Sequence, residues 1–180
     1  MPLTEALLAG GLNAIEVTFR TAGAADSIAR IRKALPHAIV GAGTLLTADQ
    51  VKQAVDAGAQ FGVSPGLSEA VSKAAHENKF LAVPRRHHAY GSHGALELGW
   101  KHLKFFPAET FGGVNALKAL SGPFGHTDVK YIPTAASRRQ ICQTIWLSPR
   151  SLPSVVPGWP SVNWSLVSLG TKSPRSRRRR

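Results

Sequence analysis

Six short runs dominated by Ile, Val, Ala and Phe punctuate the chain: NAIEVTFR, HAIVGAGT, QFGVSPG, FLAVP, HLKFFPA and VKYIPT, starting near residues 13, 37, 60, 80, 102 and 129. Their apolar positions are nearly continuous and their length is that of a buried β-strand. Between them lie stretches with helical spacing, TADQVKQAVDAGA, SEAVSKAAHENK and GGVNALKALSG. Thr47 and Gln50 stand at capping-box separation, and glycines 11, 58 and 99 each fall where a helix must stop before the next strand. The result is a βα repeat of roughly 20–25 residues.

Alternating strands and helices with apolar strands predict a parallel sheet covered by helices. Polar side chains gather where these strands end: Thr18, Arg20, Thr44, Ser64 and Thr134. A (β/α)8 TIM barrel builds its site at that end, and a doubly wound sheet follows a similar rule. The expectation is an α/β fold of the barrel kind. With six clear strands, the barrel is incomplete.

Composition changes this picture at one end only. The 180 residues are 43% hydrophobic, enough for one domain with a core, and carry a formal charge of +12. Nine of the 22 Lys and Arg and none of the ten Asp and Glu lie in residues 135–180, so the first 134 residues hold 13 basic against ten acidic groups. The same segment contains the single cysteine, Cys142, and Trp146, Trp159 and Trp164. It has five prolines and no sustained period, and it ends TKSPRSRRRR. The expected division is therefore 1–134 as a partial barrel and 135–180 as a disordered basic tail.

A tail of this charge suggests a nucleic-acid-binding protein as the alternative function, through counterion release. No aromatic platform, recognition helix or zinc site accompanies it. One cysteine cannot form an intramolecular disulfide, no leader pattern opens the chain, and no apolar stretch reaches membrane-spanning length. The expectation is a soluble cytoplasmic protein with a small-molecule substrate, and neither nucleic acid nor membrane as partner.

Two strands carry candidate chemistry. In EVTFRT, strand period puts Glu16, Thr18 and Arg20 on one face; such groups inside a fold need partners or a task. A structural Glu–Arg pair would serve equally. In HLKFFPAE, Lys104 shares a face with Phe106 between apolar neighbours. A desolvated lysine is partly neutral amine, the form that adds to a ketone to give a Schiff base; the alternative is a lysine snorkelling from a strand end. The glycines of GAGT lack dinucleotide or P-loop spacing, and Thr44 offers a hydroxyl beside them. His87, His88 and His93, read as lying in one loop, have no carboxylate between them and form no metal pattern.

Taken in order, EVTFRT, IVGAGT, GAQFGVSPG, LKFFPAE with GGVNALKAL and GPF, and YIPT closely resemble the class I 2-keto-3-deoxy-6-phosphogluconate aldolases, which also act as 4-hydroxy-2-oxoglutarate aldolases. The resemblance covers residues 3–83 and 95–134. It implies a TIM barrel, a homotrimer, and cleavage of the phosphorylated keto acid to pyruvate and glyceraldehyde 3-phosphate with no metal or other cofactor. It makes Lys104 the Schiff-base lysine and Glu16 the general acid/base. Arg20, Thr44, Pro65, Phe106 and Thr134 then frame the pyruvate moiety.

Three departures accompany the resemblance. By the resemblance, the chain is expected to start inside the first helix, without the family's first strand and with two sheet edges open. PRRHHAYGSHG at 84–94 replaces a PGVxTxxE-like segment without change of length. After YIPT, the glycine pair and GGSW stretch that hold the substrate phosphate are lost, with the last strand, and this chain is expected to be impaired. One explanation covers the last two. Deleting one base from a permitted back-translation of 84–94 yields Pro-Gly-Val-Thr-Thr-Pro-Thr-Glu-Val-Met, and a one-base shift turns VVPGWP into Val-Gly-Gly-Ser-Trp-Met. A compensated frameshift at 84–94 and an uncompensated one near Thr134 are expected. Sequencing the DNA should show bases compatible with both shifted translations; incompatible bases at either place would refute that frameshift.

Overall fold

The computed structural model describes residues 2–85, 89–134 and 167–169. Each of the six expected strands is present: β1 (Ala14–Thr18), β2 (Ile39–Gly43), β3 (Phe61–Ser64), β4 (Ala82–Pro84), β5 (His102–Phe105) and β6 (Lys130–Pro133). Helices α1 (Pro2–Ala9), α2 (Ala24–Ala34), α3 (Ala48–Asp56), α4 (Glu69–Glu77), α5 (Ala89–Glu97) and α6 (Gly113–Phe124) alternate with them. The fold is α/β with parallel strands. Among the described residues no helix is long and apolar enough to cross a membrane.

Local chemistry sets the boundaries. Gly11, Gly58 and Gly99 take φ of 86°, 85° and 79°, the left-handed turn that ends a helix at no steric cost to glycine. Thr47 caps α3 by accepting the Gln50 backbone N–H at 3.2 Å, and Gln50 Oε1 accepts the Leu46 N–H at 2.7 Å. Ala24, Ile28 and Ile31 are the buried residues of α2, spaced to form a single stripe.

The chain divides into two compact units, the first Met1–Ser64, Ala70–Ala82 and Val162–Arg180, the second Pro65–Glu69 and Val83–Ser161. In the first, the sheet order is β4-β3-β2-β1-β7, with β4 entering this unit through Ala82 and β7 formed by Val167–Leu169. Register is in step from Ala14 opposite Ile39 to Thr18 opposite Gly43, and from Gly41 opposite Phe61 to Gly43 opposite Val63. Ile15, Val40, Leu45 and Val51 are wholly buried.

The expected open edge at β1 is not found. Ile15, Glu16 and Val17 pair in parallel with Val167, Ser168 and Leu169, so β1 has a neighbour on both sides. The run VSL alternates apolar and small polar residues and needs only three positions to satisfy the ladder. The other expectations for residues 135–180, the lost phosphate site and closing strand and the basic tail, lie outside the described residues.

In the second unit β5 and β6 pair in parallel, His102 opposite Lys130 through Phe105 opposite Pro133. Lys101 and Asp128 close one end by an exposed ion pair at 2.9 Å, which holds the Asp128 carboxyl below its usual range. The segment read as a loop around His93 is largely helical: His93 stands on α5, 3.2 Å from Glu97 one turn on. Ala residues 89 and 95 and the buried Ser92 suit a helix despite Gly91 and Gly94. His87 and His88 lie outside the described residues.

Ser92 ties α5 to β6, its Oγ accepting the Tyr131 hydroxyl at 3.0 Å in a buried bond. Burial pushes the Tyr131 pKa up, which keeps the hydroxyl protonated as the donor of this bond. Ser92→Ala leaves that hydroxyl enclosed without its acceptor and is expected to cost about 1–3 kcal/mol. Urea unfolding measures it. Restoration of stability by adding Tyr131→Phe would confirm the bond as the cause; an unchanged single variant would show that the hydroxyl finds other relief.

Candidate active site

Every residue expected to act lies in a strand or just past its C-terminal end. In the first unit the centre is Glu16, in the middle of β1 and only 3% exposed, with Thr18 at 1% two positions on. A carboxyl in a parallel sheet needs room, and β2 provides it through glycine. A Cβ on Gly43 would overlap Glu16 Oε1 and approach its Cδ at 2.6 Å and Cγ at 2.7 Å. The side chain of Glu16 therefore lies across the vacant position at Gly43.

The next residue is strained. Thr44 has φ of 62°, a left-handed conformation that a β-branched residue adopts only at a cost of about 1–3 kcal/mol. Its backbone is pinned on both sides: Gly43 O accepts the Phe19 N–H at 2.7 Å, and the Leu45 N–H reaches Val63 O at 3.1 Å. Thr44 is thereby turned out of strand geometry beside Glu16's glycine.

Arg20 differs from expectation. Strand period does not extend to it, because β1 stops at Thr18 and the Arg20 N–H folds back onto Thr18 O at 2.9 Å. Glu16 and Thr18 are buried, whereas Arg20 is exposed. An exposed guanidinium just past the strand end is open to an anion, and no Glu16–Arg20 ion pair is formed among the described residues.

In the second unit Lys104 lies in β5 between Leu103 and Phe105, both fully buried. It is half-buried, with Nζ 5.3 Å from the centre of the Phe106 ring, within cation–π range. Thr134, one step past the Phe105–Pro133 pair, is fixed by its N–H to Phe105 O and its carbonyl to the Ala108 N–H, both 2.9 Å. Its hydroxyl oxygen is enclosed and has no hydrogen-bond partner among the described residues. Pro65 directly follows β3 and is exposed. His102, at the opposite end of β5, has its pKa lowered by burial, then by Lys130 and Lys101.

Arg85 is the residue that sequence reasoning passed over. It forms a parallel bridge with Lys104, donates from Nε to Phe106 O at 2.8 Å, and sets its guanidinium 5.2 Å from the centre of the Phe106 ring. Its signal was present in FLAVPR, two positions after Val83 on the same strand face. Among the described residues no group of three His, Cys, Asp or Glu could hold a metal ion.

Gly43→Ala isolates the steric link to Glu16, since Gly43 has no positive φ to forbid a side chain. The added methyl is expected to displace Glu16 and to destabilise the protein by about 1–3 kcal/mol, as overpacked cores do. Thermal and urea unfolding measure the cost. An unaltered midpoint would mean that Glu16 swings clear without penalty.

The chain resembles known proteins over most of its length. The family model for KDPG and KHG aldolase matches residues 1–159. The KHG/KDPG aldolase of Escherichia coli (strain K12) is 46% identical over 134 residues, which are 74% of this chain and 62% of that protein. The 2-dehydro-3-deoxy-phosphogluconate aldolase of Pseudoalteromonas atlantica is 39% identical over 155 residues, 86% of this chain and 69% of that protein. Among solved structures, the KDPG aldolase of Legionella pneumophila, with pyruvate captured as a covalent carbinolamine intermediate, superposes with a TM-score of 0.76 at 35% identity, covering 83% of this chain and 71% of that one. The Zymomonas mobilis enzyme superposes at 0.75 with 41% identity over the same shares. The chain spans 62% of the length of the Escherichia coli relative. It belongs to the KDPG and KHG aldolase family.

Proposed function

We propose that this chain is a class I aldolase, impaired by the loss of the segments that hold the substrate phosphate, whose reaction is cleavage of 2-dehydro-3-deoxy-6-phosphogluconate to pyruvate and glyceraldehyde 3-phosphate, and of 4-hydroxy-2-oxoglutarate to pyruvate and glyoxylate. The observation that carries the proposal is Lys104, half-buried on β5 between two fully buried neighbours. The pyruvate captured covalently in the Legionella relative supports the same chemistry here. The α/β alternation and the likeness to solved KDPG aldolases support a (β/α)8 barrel as the architecture.

The steps follow from amine and carbonyl chemistry. The neutral Nζ of Lys104 adds to the ketone carbon to give a carbinolamine, and protonation of its hydroxyl by solvent lets it leave as water, which gives a protonated imine. Glu16 takes the proton of the substrate's β-hydroxyl, directly or through water. The bond between the α and β carbons breaks, its electron pair flows to the imine nitrogen, and the aldehyde leaves. Protonation of the resulting enamine at carbon and hydrolysis of the imine release pyruvate and free Lys104.

The remaining residues bind. Arg20 offers parallel donors to the pyruvate carboxylate, a geometry that lysine lacks. Thr44 and Thr134 supply hydroxyls, and the unsatisfied Thr134 oxygen is a group that a substrate oxygen would complete. Pro65 and Phe106 provide apolar walls.

Incubation with pyruvate and borohydride, followed by peptide mass mapping, is expected to place a reduced adduct on Lys104. Lys104→Arg should keep the charge and abolish the adduct. Folded protein that gives no adduct, or gives one on another lysine, would sink the proposal.

A further inference from the structure

Two cations share one aromatic ring in the second unit. The Lys104 ammonium and the Arg85 guanidinium stand 5.3 Å and 5.2 Å from the centre of Phe106. Their backbones face each other across a parallel bridge, which directs both side chains to the same side of the ladder. Arg85 is held there at a single nitrogen, with Nε donating to Phe106 O at 2.8 Å. Its two terminal nitrogens make no further bond to a described residue.

The guanidinium of Arg85 keeps its charge while Lys104 reacts as the neutral amine, so an anion arriving at this ring would pair with Arg85. The forked end of a guanidinium matches the two oxygens of a carboxylate, whereas an ammonium cannot offer two parallel donors. The substrate proposed above brings a carboxylate attached directly to the carbon that Lys104 attacks. Pinning at Nε fixes the fork, so little side-chain freedom is lost when the anion binds.

We propose that Arg85 is a second carboxylate-binding residue, which holds the carboxylate of a 2-oxo acid while its ketone carbon reacts with Lys104. The assignment rests on Lys104 being the Schiff-base lysine. It makes the second unit selective by itself: ketones with an adjacent carboxylate are captured in preference to neutral ketones.

The test compares borohydride trapping of pyruvate and of hydroxyacetone, a neutral ketone, in the full chain and in Arg85→Met and Arg85→Lys. The half-saturating pyruvate concentration should rise about tenfold or more in Arg85→Met, as expected for loss of one charge-assisted pair, while that for hydroxyacetone changes little. Arg85→Lys should recover part of the pyruvate affinity, since it restores charge without the fork. Equal behaviour of variant and parent towards pyruvate overturns the proposal. A parallel loss for both ketones also overturns it, because Arg85 would then only support the structure. Failure of the parent to trap either ketone refutes the role of Lys104 itself, a result distinct from the other two.

Discussion

An acid enclosed in the middle of a parallel sheet can exist only where the neighbouring strand gives up a side chain. Glu16 and Gly43 satisfy that condition together, and much of the first unit follows from it. The in-step register of β1 and β2 sets Thr18 opposite Gly43 and so lays the long side chain of Glu16 along the glycine. A shift of one residue would turn Glu16 to the opposite face of the sheet. The strained backbone of Thr44 begins at the next residue, where the strand can no longer continue straight.

The second unit solves a related problem with an aromatic ring. Lys104 sits between fully buried neighbours, and its Nζ lies against the Phe106 ring, whose electron-rich face stands in for water when the amine is charged. The same ring carries Arg85, and its own carbonyl anchors that guanidinium. Phe106 is thus both wall and mount. Substitution there would disturb two charged groups at once, so the effects of changes at Arg85, Lys104 and Phe106 are not expected to add.

The strands and helices were largely legible in the sequence because each apolar run is bounded by glycine, proline or a capping residue. Glu16 and Lys104 were legible as polar groups inside such runs, and Thr44 as one where a run ends. What escaped notice depends on neighbours distant in the chain. The positive φ of Thr44 is imposed by ladder bonds to Phe19 and Val63, which no local propensity encodes. Arg85 becomes informative only once it bridges to Lys104, 19 residues on in the sequence. Arg20 was placed on a strand face by extending the alternation beyond Thr18, where the backbone has already turned. His93 was read as a loop residue because glycines on either side of it masked a helix whose hold comes from Ser92 and Tyr131. β7 carries three residues of pattern inside a stretch that has no other, too few to announce a strand.

That last strand has a consequence for how the chain comes to be folded. Glu16 and its partner Ser168 are about 150 residues apart, so one flank of β1 is closed by a segment synthesised long after the strand itself. Until that segment emerges, an apolar strand with unpaired peptide groups waits for it. During that interval, other nascent chains compete for the same flank, and the yield of native protein becomes a matter of timing as well as of stability.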